Sequence, residues 1–151
     1  MRAARAIAIT GLIVGAMDIT SAFIIAISRG STPTRLLQFV ASGLIGQKAF
    51  QGGAATAALG LGLHFVIAFA VVAIFYAASR RLAFLRRQAV VSGMIYGLIV
   101  FGVMNLVVLP LSAAKPRHSL TGDLLQIGIH LFVIGLATAL LIRRFSGANA
   151  A

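Results

Sequence analysis

The chain has 151 residues, of which 60% are hydrophobic and only 10% charged, with a formal net charge of +11 and no cysteine. Soluble domains surround their core with a polar shell and carry about 25% charged residues, so a soluble enzyme and a disordered chain are excluded. The missing cysteine excludes disulfide scaffolds, thiolate metal sites and Fe–S clusters.

A bilayer core of about 30 Å takes roughly 20 helical residues to cross, and the first run of that kind covers residues 7–28. Arg2 and Arg5 precede it as they would in a signal peptide. The run is nevertheless long, is interrupted by Asp18 and lacks an A-x-A site after it, so a retained span is expected. The connection that follows, 29–53, contains Thr32-Pro33, a helix-start pair with Thr as cap and Pro in the first turn. Leu36, Leu37, Val40, Leu44 and Ile45 then repeat at helical spacing. The spacing predicts a short amphipathic helix over about 33–46, too short to span and therefore interfacial or re-entrant. It is either a structural cover or a lid. Gly43, Gly46, Gly52 and Gly53 mark bends after it.

Three more apolar runs follow, over 55–78, 89–111 and 124–142. None alternates as a barrel strand does, and backbone amides in lipid must be paired within the segment, so helices are predicted. Pro110 is expected to end or bend the third span. Asp123 is expected to start the fourth, where a carboxylate suits a helix N-terminus. His118, between Arg117 and Ser119, reads as solvated. The fold class expected is an all-α bundle of four transmembrane helices, one domain over 1–151, with the short helix in its first outer loop.

The cations set the expected orientation. Arg2, Arg5, Arg80, Arg81, Arg86, Arg87, Arg143 and Arg144 crowd the span ends on one side. Arg29, Arg35, Lys48, Lys115 and Arg117 lie in longer loops on the other. Both termini are therefore read as cytoplasmic, with the Arg pairs against anionic headgroups. No basic stretch is interleaved with aromatics, so nucleic acid is not an expected partner; a homo-oligomer is open.

The halves are alike. Gly15-Ala16-Met17-Asp18 parallels Gly102-Val103-Met104-Asn105, Gly62-Leu63-His64-Phe65 parallels Gly128-Ile129-His130-Leu131, and Arg80-Arg81 parallels Arg143-Arg144. Two hairpins of the same orientation would make a parallel repeat.

The polar residues of these motifs are the costly ones, since a charge at the bilayer centre costs about 2.5–3.5 kcal/mol on insertion scales. At 1.5 Å per residue, Asp18, His64, Asn105 and His130 all fall roughly 9–15 Å below the outer surface, so one polar layer is predicted. Small residues share their faces: Gly11 and Gly15 with Asp18, Gly60 with His64, Gly102 with Asn105. These four glycines are the expected helix-packing positions.

Three roles are open to such a layer. It could be packing glue, each bond worth about 0.6 kcal/mol. It could line a path for protons or a small solute, because an Asp–His pair can exchange a proton near neutral pH. His64 and His130 could also ligate haem, or a single metal with Asp18. No hydrolase, zincin, Walker or Rossmann pattern occurs, so no enzyme is expected. The expected function is a small transporter or conduit without a bound cofactor; a structural membrane protein and a haem- or metal-binding one are the alternatives.

One resemblance adds to this reading. His64, Leu109-Pro110-Leu111 followed by Lys115-Pro116, and Gly128-Ile129-His130 running into Arg143-Arg144 resemble the YagU-like bacterial inner-membrane proteins over about half the chain. The stretch from Gly43 to His64 is similar to that of other small bacterial membrane proteins. The resemblance implies an inner-membrane location. It also implies a role in acid tolerance, which an Asp–His layer would suit. This chain is shorter and lacks the longer outer segments of that family.

Overall fold

The computed structural model describes residues 3–115 and 119–145. Arg2, Pro116, Arg117 and His118 lie outside the described residues. Six helices follow in order: α1 (Ala3–Ser28), α2 (Pro33–Ile45), α3 (Gly53–Arg81), α4 (Phe84–Arg87), α5 (Ala89–Leu111) and α6 (Leu120–Phe145). There is no strand among the described residues. α1, α3, α5 and α6 are each long and apolar enough to cross a membrane, which fits a multi-pass membrane protein. The side chains facing outward agree: Leu106 and Leu111 are about four-fifths exposed, at 79% and 83%, and Val66, Ile24 and Phe132 are also exposed. So much apolar surface is ordinary against acyl chains and untenable in water.

The helices outrun the apolar runs for local reasons. α3 continues through Arg80 and Arg81, whose charges suit the carbonyl end of a helix. α6 starts at Leu120, not at Asp123: Ser119 is its cap, its hydroxyl accepting from Gly122 N at 3.1 Å, and Asp123 lies inside the first turn. α2 starts as its sequence signal says, Thr32 Oγ1 accepting from Arg35 N at 3.2 Å with Pro33 following. It ends at Ile45 because Gly46 turns to φ 67°, which a side chain would resist. A 3-10 run over Gly46–Gln51 then leads into α3.

Contacts define antiparallel neighbours. Phe69 and Phe65 of α3 cover Gly11 and Gly15 of α1. Gly93 and Gly97 of α5 meet the backbone of α6 at Gly135 and His130. α1 also packs on α6. The tight core lies where the Arg pairs are, with Val72, Phe75, Ala89, Ala139 and Ile142 fully buried. At the opposite end α2 lies on α3, with the Leu37 carbonyl over Gly60. Gln38 Nε2 donates to the Gly53 carbonyl at 3.1 Å, and Ala113 N donates to the Gly43 carbonyl at 3.0 Å, tying the exit of α5 to α2.

Two helices contain wide π turns, over Met104–Val108 in α5 and over His130–Leu136 in α6. The first has a covalent cause. Pro110 has no N–H, so the Leu106 carbonyl four residues back loses its α-helical donor, and in the turn just before it Leu109 N donates to the Met104 carbonyl five residues back. The helix then stops at Ser112, which is extended. The second begins where the α6 backbone rests on Gly97.

Candidate functional site

Asp18 from α1, His64 from α3, Asn105 from α5 and His130 from α6 line one cavity of about 360 Å³. That volume lies within the range of small-molecule sites, about 300–1,000 Å³. Its walls are mainly aliphatic, with Val14, Ile67, Val71 and Val100 deep and Leu36, Phe39 and Val40 of α2 above. Arg29, Asp123 and Gln126 also reach it.

Within the cavity the four polar side chains are not bonded as one network. His64 Nε2 lies 2.9 Å from the Gly15 carbonyl. A carbonyl only accepts, so Nε2 carries the proton. His64 Nδ1 then faces Asp18 Oδ2 at 3.9 Å, too long for a direct hydrogen bond. In the neutral ring Nδ1 is a lone pair; protonated, it becomes the cation of an ion pair with Asp18. His130 Nδ1 donates to the Gln126 carbonyl at 2.8 Å within its own helix, which leaves Nε2 as the ring's acceptor. Asn105 Nδ2 donates to the Phe101 carbonyl at 2.9 Å, also within its helix. Phe101 joins these last two, since its ring meets His130 edge-on at 5.4 Å between centroids.

Within this layer the side chains that approach each other across helices are His64 and Asp18, at 3.9 Å. His64 alone reaches across, to the backbone of α1. A haem iron or metal would have to use His64 Nδ1 and His130 Nε2, because the other ring nitrogens are engaged. Among the described residues no three His, Asp or Glu side chains form a metal-holding group.

The predicted packing glycines divide. A Cβ on Gly11 or Gly15 would strike the rings of Phe69 or Phe65. Gly60 is also a close-approach position, although its neighbour is α2 rather than a spanning helix. Gly102 is not one: a Cβ there meets nothing within 4 Å. α5 approaches α6 through Gly93 and Gly97 instead, more than one turn away along the helix. That pair, four residues apart, was the available signal.

The packing behind Val71, a wall residue of the cavity, was not foreseen. Tyr96 of α5 donates its hydroxyl to the Val71 carbonyl at 2.6 Å and packs its ring on Phe75 at 5.0 Å. Below it the core of Val72, Phe75 and Ile142 is dry and tight. An aromatic at helical spacing reads as core, and nothing in the sequence marks Tyr96 otherwise. The cavity thus lies beneath α2, with the packed core around Phe75 on its Arg-pair side.

No protein-family model, curated protein or solved structure matches the chain.

Proposed function

We propose that the chain is a small non-enzymatic conduit or transporter of the bacterial inner membrane, with the Asp18, His64, Asn105 and His130 layer as its binding and proton-handling site. Both termini are cytoplasmic in this reading, so α2 lies on the outer side and the cavity is reached from there. The spans form two hairpins of one parallel repeat, each contributing an acid or amide and an imidazole to the layer. What supports the reading is one observation: residues from all four spans, with Leu36, Phe39 and Val40 of α2, line a single cavity.

A glue layer would fill that space with mutual side-chain bonds. Here two of the four residues bond within their own helices and leave the cavity unfilled. His64 supplies a one-proton site: Nε2 stays on the Gly15 carbonyl while Nδ1 takes or releases a proton beside Asp18. Delivery to the other side requires the packed core around Phe75 to open, as alternating access demands.

Proteoliposomes with an imposed pH gradient and an internal pH dye test this. Wild type is expected to collapse the gradient faster than empty liposomes, and His64→Ala and Asp18→Asn are expected to fall to the empty-liposome rate while still melting cooperatively. The structural alternative rests on the His64–Gly15 bond. It predicts no wild-type flux and a His64→Ala chain that only loses thermal stability.

A further inference from the structure

Beside the main cavity, on the α2 side, lies a second and wider hollow of about 720 Å³. The two share Ala22, Ile25, Leu36 and Phe39 on their common wall, with Arg29 and Gln126. The wider hollow is basic. Arg29, Arg35 and Lys115 all line it, and Asp18 and Asp123 are the only acids of the chain. Among the described residues none of the three cations is in an ion pair. Arg35 is held in place from below, its guanidinium 5.2 Å over the Phe50 ring. Arg29 reaches α6, where a Cβ on Gly122 would lie 3.2 Å from Nη1.

Three like charges lining one hollow repel one another, and an anion seated among them relieves this. Guanidinium pairs suit carboxylate and phosphate heads in particular. The wall below them is aliphatic and aromatic, and hydrocarbon is what such a wall takes from water.

Resting on the conduit reading of the site, we propose that it takes an amphiphilic monoanion. The carboxylate or phosphate head sits among Arg29, Arg35 and Lys115, and the apolar body descends past Leu36 and Phe39 into the cavity above the polar layer. Two sources share this chemistry, a free medium-chain acid and an anionic phospholipid.

Equilibrium dialysis of radiolabelled decanoate against the full chain in nanodiscs separates the outcomes, with empty nanodiscs subtracted. In phosphatidylcholine nanodiscs decanoate is expected to bind saturably, and decyltrimethylammonium, of equal chain length and opposite charge, is not. The triple change Arg29→Gln, Arg35→Gln and Lys115→Gln is expected to weaken decanoate by roughly thirtyfold or more. Arg29→Lys with Arg35→Lys, which keeps the charge, is expected to retain most of the binding and controls for folding. Loss of decanoate binding when phosphatidylglycerol is added to the disc makes a lipid head the resident ligand; retained binding makes it a free acid. Absence of saturable decanoate binding in phosphatidylcholine, equal binding of the cation, or a triple variant that binds like wild type would each overturn the proposal. The conduit reading stands or falls separately on proton flux: decanoate bound without flux sinks that reading alone, and flux without decanoate binding sinks this one alone.

Discussion

Gly97 and Gly102 lie on the same helix, and only the first is held by its neighbours. A methyl group on Gly97 would occupy the place of the His130 carbonyl on α6, whereas one on Gly102 meets open space. Gly97→Ala must therefore push α5 from α6 just where the layer is built, at a cost of about 1–3 kcal/mol for an overpacked contact. Gly102→Ala removes backbone freedom from a helix interior and is expected to be neutral or to stabilise by up to about 1 kcal/mol. Circular-dichroism melts in detergent distinguish them: a lower midpoint for Gly97→Ala and an unchanged or higher one for Gly102→Ala. Equal midpoints would refute the close approach at Gly97. The same contrast shows what a sequence discloses at this scale. Asp18, His64, Asn105 and His130 stand out because polar groups are expensive among apolar ones, and a cavity does gather them. Their partners are backbone carbonyls, of Gly15, Phe101 and Gln126, and a carbonyl has no signature in sequence. The role of a glycine depends on what faces it, which is why Gly102 was misread and Gly93 and Gly97 passed over.

Elements were more legible than contacts, because helix ends are written in local chemistry. Thr32-Pro33 starts α2 as its residue types require. Ser119 rather than Asp123 starts α6, since a cap must lie just before the first helical residue and its oxygen must reach an amide two or three further on. The π turns were not legible in the same way. Pro110 announces a disturbance, but whether the helix kinks or widens to Met104–Val108 depends on how the freed carbonyl is repaired. Because α2 lines the cavity, its stability bears on the proposed site. Thr32→Ala removes the oxygen that holds the Arg35 amide, and loss of such a cap costs about 1 kcal/mol. Hydrogen exchange at the Arg35 amide is expected to quicken by about fivefold, with amides in the middle of α3 unaffected. Unchanged exchange at Arg35 would mean that packing on α3, not the cap, fixes the start of α2.

Taken whole, the molecule is dense at one end and hollow at the other. Small glycine contacts and the buried set around Phe75 and Ile142 close the Arg-pair end, where a single short connection over residues 82–88 joins α3 to α5. The opposite end carries the long first connection, and α2 spaces the spans apart there while covering what opens between them. This asymmetry makes a directional prediction. The chain has no native cysteine, so single substitutions report alone. Ala22→Cys sits on the wall shared by both hollows, and Ser79→Cys is a near-isosteric change at a fully buried position of the closed end. In sealed cells or right-side-out vesicles, a membrane-impermeant maleimide is expected to modify Ala22→Cys from the outer face and to leave Ser79→Cys unmodified from either face. Preloading with decanoate is expected to slow labelling at Ala22→Cys, because the apolar body would lie against that wall. Labelling of Ala22→Cys only in inside-out vesicles would reverse the proposed orientation while keeping the cavity; equal labelling of Ser79→Cys would show that the dense end is open in the membrane, and the core around Phe75 would then be no barrier to whatever enters from above.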